Sequence, residues 1–295
     1  MDGAQRVAIV TGGASGIGRS LCLALAGREA AAVVVADIDA AGAAKVADEI
    51  EASGHRALAV TADVGNAAGA EGLIRRAEDA FGRVDLLFSN AGVVVAGGLE
   101  IPDEAWSRTW AINVQSHVWL TRAVLPGMLV RGEGYLVYTA SAAGLLTELG
   151  SASYSVTKHA VVALAEWLSI TYADQGIRVS CLCPQLVDTN LGATSRRLVP
   201  QAGAEEEAAS LAQEAPRAPA ASLAQEDSLG ARHAGLDGVL TPDQVAECVL
   251  KVMADERFLI LPHPEVATYE RRRADDRERW LRGMRRLLAR LSAQN

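Results

Sequence analysis

A tyrosine and a lysine separated by three residues form the motif with the clearest chemical potential. Tyr154 and Lys158 lie in the stretch YSVTK, where a helical pattern begins, and Lys158 is one of only three lysines in the chain. Residues i and i+4 of a helix face the same way, so both side chains can point into one site. A free phenol titrates at about pH 10, and a neighbouring ammonium group favours its ionised form. A lysine at this spacing can therefore favour the phenolate of Tyr154, while the pair alone does not establish a catalytic role.

A glycine-rich loop, TGGASGIGRS, follows the first apolar segment of the chain. Gly12, Gly16 and Gly18 allow a tight turn and a close approach to an anionic ligand at the start of a helix. The loop is also a near miss to the phosphate-binding loop of nucleotide hydrolases, because Gly13 and Gly18 bracket four residues. That motif requires lysine where this chain has Arg19, and arginine is not its equivalent.

An acidic residue, Asp37, ends the second predicted strand, nineteen residues after Gly18. A carboxylate at this position can accept hydrogen bonds from an adenosine ribose, and it would repel a 2′-phosphate. The pattern therefore favours NAD over NADP. The alternative is that Asp37 only caps the following helix, which Asp39 could equally do.

The elements that must position these residues alternate regularly along residues 1–262. Seven apolar segments are separated by helical patterns, such as those over 71–81 and 104–130: RVAIVTGG, AAVVVADID, RALAVTADV, RVDLLFSNAG, GYLVYTAS, GIRVSCLCP and RFLILP. Thr241 followed by Pro242 predicts the start of a late helix. Continuous apolar strands alternating with helices predict an α/β fold, a doubly wound (Rossmann) parallel seven-stranded sheet with helices on both faces, as a single domain.

Two segments depart from this alternation. Residues 193–240 form a low-complexity insertion in which AASLAQE occurs at 208–214 and again at 220–226. Its composition favours a mobile loop over a folded lid. Residues 263–295 predict a basic amphipathic helical extension with one apolar stripe: Trp280, Leu281, Met284, Leu287, Leu288 and Leu291. We expect this extension to pack against its own domain or a second subunit, rather than to bind a membrane or an acidic polymer.

Composition and charge exclude several functions. The formal net charge is −8, which argues against a nucleic-acid surface. The amino-terminal stretch MDGAQRVAIV predicts no signal peptide, and no segment reaches the roughly 20 apolar residues of a membrane helix. The five histidines and four cysteines lack metal-binding spacings, so no metal site is predicted. We expect a cytoplasmic protein without nucleic-acid or membrane partners.

The order and spacing of these motifs resemble those of the classical short-chain dehydrogenases/reductases, over about residues 5–192 and 241–262. The matching residues are TGGASGIG, Asp37, ADV with Asp63, NAG at 90–92, Asn113, Ser141, YSVTK and PQLVDT from Pro184. The resemblance implies an NAD-dependent enzyme that interconverts a secondary alcohol and a ketone, and that forms a homodimer or homotetramer.

The resemblance also implies residue roles. Tyr154 would be the general acid or base, and its pKa would be lowered by Lys158 together with the positive nicotinamide. Lys158 would also hold the nicotinamide ribose. Ser141 would orient the substrate oxygen, and Asn113 would help to hold a water in a proton relay. The implied cofactor contacts are Gly12, Ser15, Gly16, Ile17, Gly18, Asp37, Asp63, Val64, Asn90, Ala91, Gly92, Tyr154, Lys158, Pro184, Val187 and Thr189.

The substrate is less constrained by the sequence. Gln185 stands where the family usually has glycine, and its side chain could narrow or polarise the pocket beside the nicotinamide. Four leucines suggest an apolar cavity for a bulky substrate, although leucines on such loops can equally belong to the core: Leu145, Leu146, Leu149 and Leu186. Two other functions are open, a catalytically silent NAD-binding regulatory or scaffold protein and a nucleotide phosphohydrolase.

Overall fold

The computed structural model describes residues 6–28, 30–199 and 229–293. Seven parallel strands in these ranges form one sheet in the order β3-β2-β1-β4-β5-β6-β7. They are β1 Val7–Thr11, β2 Ala32–Asp37, β3 Ala57–Thr61, β4 Leu86–Ser89, β5 Gly134–Thr139, β6 Ile177–Leu182 and β7 Leu259–Ile260. The predicted doubly wound seven-stranded sheet is confirmed.

The central strands are apolar throughout because both faces of the sheet are covered. Every residue of β1 and β5 is buried. Successive side chains point to opposite faces, so Ile9 and Leu136 belong to one core cluster, whereas Val10 and Val137 belong to the other. The two clusters are the two layers that the helices close.

The helices that cover the sheet are α1 Gly16–Ala26, α2 Ala40–Ala52, α3 Ala67–Phe81, α4 Asp103–Trp110, α5 Ser116–Arg131, α6 Ala143–Leu146, α7 Ala152–Tyr172, α8 Leu191–Leu198, α9 Leu229–Ala234, α10 Pro242–Ala254, α11 Glu265–Asp275 and α12 Arg277–Ser292. Helices α1, α2 and α10 contribute to one cluster, and α3, α5 and α7 to the other. Helix α10 begins as predicted, since Thr241 and Gln244 form a capping box and Pro242 is the first helical residue.

The helical stretch predicted over 104–130 is not uniform. A π-helical turn, Ala111–Gln115, separates α4 from α5. Such turns add a residue to the helical repeat and are frequent at functional sites. This one contains Asn113, whose side chain is completely buried.

The two segments that depart from the alternation contain helices within the described residues. Helices α8 and α9 lie at the two ends of 193–240, where a mobile loop was expected. Helix α8 is held by packing of Leu198 and Val199 against Val93 and Val95, which local composition does not encode. Both copies of AASLAQE lie outside the described residues.

The carboxyl-terminal helices α11 and α12 pack on the same domain. Val266 belongs to the core cluster, Trp280 packs against that cluster and Leu291 is buried. Leu281 and Leu288, however, are 42% and 39% exposed, so part of the predicted stripe faces outward. Within the described residues, no helix is both long enough and apolar enough to span a bilayer.

Candidate active site

One cavity of about 630 Å³ lies where the parallel strands end at their carboxyl edge. Open α/β sheets bind ligands at this edge, beside the point where the strand order reverses. Here that point is the gap between β1 and β4. All residues predicted to contact the cofactor line this cavity, and so does Ser141.

The glycine loop forms a cradle at the start of α1. Gly12 and Gly16 have φ angles of +68° and +51°, which side-chain-bearing residues rarely adopt. A Cβ atom added to Gly18 would overlap the carbonyl oxygen of Gly12. The loop can therefore be this tight only with glycine at these positions. An anionic group such as a pyrophosphate fits the helix amino terminus that it exposes.

Asp37 and Asp39 have different functions in the structure. The N–H of Gly42 donates to Asp39 Oδ1 at 3.1 Å, so Asp39 is the cap of α2. Asp37 instead accepts a hydrogen bond from Ala14 N, 3.0 Å from Oδ2, and lines the cavity. The alternative in which Asp37 is only a helix cap is thereby disfavoured.

The structure also bears on the similarity of the glycine loop to the phosphate-binding loop of nucleotide hydrolases. Arg19 Nη2 donates to Glu49 Oε2 at 2.6 Å, so the guanidinium of Arg19 is engaged on α2. Among the described residues, no three His, Cys, Asp or Glu side chains lie close enough to hold a metal ion.

Polar contacts fix the middle of the cavity. Asn90 Nδ2 donates to the carbonyl oxygen of Thr11 at 2.9 Å, and Thr139 Oγ1 donates to Asn90 Oδ1 at 3.0 Å. Asn90 thus ties together the ends of β1, β4 and β5. Beside it, Arg108 Nη2 lies 3.0 Å from Asp63 Oδ2. This ion pair shares the cavity wall with Val64 and was not apparent from the sequence.

Tyr154, Lys158 and Ser141 converge at the other end of the cavity. Helix α7 is capped by Ser151, whose Oγ accepts from Tyr154 N at 3.3 Å, so Tyr154 sits in the first turn. Lys158 Nζ donates to the carbonyl oxygen of Thr139 at 2.8 Å and lies 5.5 Å from the centroid of the Tyr154 ring. Ser141 follows β5, and its Oγ accepts from Ala143 N at 3.1 Å. All three functional side chains are at least nine-tenths buried.

Burial raises the pKa of the Tyr154 phenol above its ordinary value. The carboxylate of Glu148 raises this pKa further, while a hydrogen bond with Ser141 lowers it. Burial also lowers the pKa of Lys158 to about 8. Among the protein groups, loss of contact with water thus outweighs the groups that stabilise phenolate. The lowering of the phenol pKa by Lys158 together with the positive nicotinamide stays a prediction.

Asn113 does not line the cavity. Its Oδ1 accepts from Val93 N at 2.8 Å, and its Nδ2 donates to Val93 O at 2.9 Å and to Thr157 Oγ1 at 3.1 Å. These bonds occupy both amide protons and fix the chain after β4 against α7. The water-holding role stays a prediction.

The substrate end of the cavity is more polar than predicted. Leu146 and Leu186 line it, but Leu145 belongs to the core and Leu149 is not part of the wall. Sequence reasoning missed two polar residues that do line it, Glu148 and His233. No local motif marks them, because they reach the cavity only through the packing of α9 on the loop after α6.

Gln185 also lines the cavity, and its amide is engaged. Its Nε2 donates to Asp237 Oδ2 at 3.0 Å, and its backbone N–H donates to His263 Nδ1 at 3.2 Å. The side chain is therefore held toward the turn that follows α9.

Comparisons with known proteins give a consistent family. A family model described as short chain dehydrogenase matches residues 6–199. A (2S)-[(R)-hydroxy(phenyl)methyl]succinyl-CoA dehydrogenase subunit of Thauera aromatica is 40% identical over 186 residues, 63% of this chain and 74% of the relative. A 3β-hydroxysteroid dehydrogenase of Eggerthella lenta is 34% identical over 197 residues, 66% of this chain and 75% of the relative. The crystal structure of a short-chain dehydrogenase/reductase from Burkholderia phymatum in complex with NAD matches with a TM-score of 0.80 and 32% identity, covering 94% of this chain and 96% of that one.

Proposed function

Because this chain belongs to the short-chain dehydrogenase/reductase family, we propose that it is an NAD-dependent oxidoreductase that interconverts a secondary alcohol and its ketone. The observation that carries the proposal is the convergence of Tyr154, Lys158 and Ser141 at one end of a cavity whose other end holds Asp37 and the glycine cradle. The bound nicotinamide would accept or supply the hydride.

The protein groups handle the proton and the orientation of the substrate. Ser141 Oγ donates to the substrate oxygen and holds the reacting carbon in place. Tyr154 gives its phenolic proton to that oxygen during reduction and takes it back during oxidation. Burial of the phenol excludes water from the transfer, and the positive charge of Lys158 offsets part of the cost of forming phenolate in that environment.

The preference for NAD rests on the end of β2. The Asp37 carboxylate is anchored by Ala14 N at 3.0 Å and by Asp39 N at 3.0 Å, so it is held in the cavity wall. Next along the chain is Ile38 rather than a basic residue that could pair with a 2′-phosphate. The negative charge and the missing cation both favour a free ribose hydroxyl. The relative from Burkholderia phymatum was crystallised with NAD, which supports this choice.

The substrate is proposed to be bulky. Leu146, Leu186 and Leu198 give the cavity wall large apolar surfaces, and the two relatives described above act on substrates with ring systems, as their names state. A homodimer or homotetramer remains our expectation for the assembly.

Binding and turnover test the proposal separately. Titration with NADH and NADPH, followed by nicotinamide fluorescence, should show tighter binding of NADH, and Asp37→Ala should reduce that preference at least 10-fold. Asp48→Ala, an exposed carboxylate on α2, serves as the control. An unchanged preference in Asp37→Ala would assign selection to other residues.

A second variant isolates the chemistry. Tyr154→Phe should lower the rate of ketone reduction by at least 1,000-fold, on the order of the loss expected for a general acid, while NADH still binds. Tyr172→Phe, at the far end of the same helix, should keep full activity. A wild-type protein that binds NADH but reduces no ketone would support the silent regulatory or scaffold alternative.

A further inference from the structure

We propose that Glu148 and His233 together recognise a second hydroxyl group of the substrate, remote from the carbon that exchanges the hydride. The inference rests on the proposed dehydrogenase function and narrows its substrate class to hydroxyketones and the corresponding diols. It follows from a hydrogen-bond acceptor and a donor that face the same cavity as Tyr154.

The Glu148 carboxylate is held at the cavity wall by its backbone. Ser155 Oγ accepts from Glu148 N at 2.9 Å, which fixes the loop between α6 and α7. The preceding residue, Thr147, has a φ angle of +75°, a conformation that is strained for a β-branched residue. Strain of this kind persists where surrounding contacts impose it, and it is common at ligand sites.

Helix α9 brings His233 to the same place. A Cβ atom added to Gly230 would overlap Glu148 Oε1, so the carboxylate packs directly against this helix. Gly230 and His233 are three residues apart and share one helical face. Leu149 N also lies 3.5 Å from His233 Nδ1, a long hydrogen bond that joins the loop to the imidazole.

The hydrogen-bond pattern assigns the imidazole tautomer. A backbone N–H can only donate, so Nδ1 of His233 must accept and the proton of the neutral ring lies on Nε2. Burial lowers the pKa of His233, which favours the neutral ring. His233 Nε2 is then a donor, and within the described part of the chain it has no hydrogen-bond partner.

Glu148 supplies the complementary acceptor. Its carboxylate has no hydrogen-bond or ion-pair partner among the described residues. Burial raises its pKa to about 7, in keeping with a carboxyl group whose exposure is to the cavity and not to bulk water. A hydroxyl group both donates and accepts, so one hydroxyl can satisfy Glu148 and His233 at once, whereas an ether or a methyl group cannot.

A matched pair of ketones tests the inference. The probes are 4-(4-hydroxycyclohexyl)cyclohexanone and 4-cyclohexylcyclohexanone, with 4-hydroxycyclohexanone and 4-methylcyclohexanone as a shorter pair. We expect wild-type kcat/KM with NADH at pH 8, above the pKa of Glu148, to favour one hydroxylated ketone over its partner without the hydroxyl by about 10- to 100-fold, as expected for hydrogen bonds to a charged group. Glu148→Leu and His233→Leu should each reduce this ratio toward one, and His233→Gln, which keeps a donor, should restore part of it.

Comparing the two ketones of a pair within each variant separates hydroxyl recognition from general effects on catalysis. Any change of the Tyr154 pKa acts on both ketones of a pair equally, so it cancels. Glu51→Leu, on the exposed face of α2, is the matched control and should leave the ratio unchanged. A wild type that reduces both members of each pair equally well would overturn the inference alone. A wild type that reduces none of the four ketones, although it binds NADH, would count against the proposed function and this inference together.

Discussion

Replacing Lys158 by methionine tests whether the catalytic tyrosine depends on a neighbouring charge. Lys158 Nζ lies 5.5 Å from the Tyr154 ring, and Tyr154 is buried, so its phenolate has little stabilisation from water. Methionine has a similar length and no charge. The variant should therefore raise the pKa of Tyr154 further while preserving the packing of α7.

The expected change of the Tyr154 pKa follows from the distance between Lys158 and the phenol ring. With the 5.5 Å between Lys158 Nζ and the Tyr154 ring centroid taken as the separation of the charges, two unit charges interact by roughly 3 kcal/mol at an effective dielectric constant of about 20. This energy corresponds to about two pK units. During alcohol oxidation the base must be phenolate, so kcat at pH 7 should fall about 100-fold in Lys158→Met. The pKa of Lys158 itself is lowered to about 8, so its charge acts below that pH and fades above it. The difference between variant and wild type should accordingly narrow as the pH rises past 8.

The assay is alcohol oxidation between pH 6 and 10 at saturating NAD and alcohol. Under these conditions kcat does not change when the cofactor merely binds more weakly. Loss of the Lys158 to Thr139 hydrogen bond could also destabilise the fold, so the melting temperature is measured on the same samples. Lys45→Met, one of the two other lysines and an exposed one, should match wild type. An unchanged kcat at pH 7 in Lys158→Met would refute the charge argument.

Replacing Glu148 should change the rate of alcohol oxidation in the direction opposite to that of Lys158→Met. The negative charge of Glu148 raises the pKa of Tyr154. Glu148→Gln should therefore raise kcat for alcohol oxidation, whereas Lys158→Met lowers it. Changes in the same direction would show that neither variant acts through the phenol.

Two further predictions concern stability. Gly18→Ala should lower the free energy of unfolding by about 2 to 3 kcal/mol through overpacking against the Gly12 carbonyl, and it should abolish NADH binding. Gly283 has open space around it in α12, so Gly283→Ala should raise the free energy of unfolding by up to about 1 kcal/mol. Asp85 is 1% exposed and accepts from Val7 N at 3.0 Å, so Asp85→Ala should cost about 3 kcal/mol in urea unfolding, and Asp85→Asn less. Equal stability of the two Asp85 variants would contradict a role for the bond to Val7.

The cofactor end of the site could be predicted because its geometry is local. Gly12 must be glycine since its backbone is left-handed, and Asp37 reaches the cavity because it ends a strand beside β1. Tyr154 and Lys158 share a helix face by spacing alone. Where two local interpretations competed, as for Asp37 and Asp39, a single capping hydrogen bond decided between them.

The substrate end could not be predicted in the same way. Glu148 and His233 meet because a helix after the low-complexity segment packs on a strained loop, and neither contact has a periodic pattern. The effect of burial on the Tyr154 pKa could not be predicted for a related reason. A sequence shows which charges are near in the chain, but the cost of burying a phenol depends on every element that closes over it.

Gln185 shows how such distant contacts can explain a departure from a family pattern. Its amide binds one oxygen of Asp237, and the hydroxyl of Tyr269 donates to the other at 2.9 Å. Tyr269 is in turn in ring contact with Trp280, 6.4 Å between centroids, on the carboxyl-terminal helix. A glycine at 185 would leave the turn after α9 without this link, so the polar side chain joins the tail of the protein to the helix that carries His233. Gln185 therefore lines the pocket and also supports its polar wall.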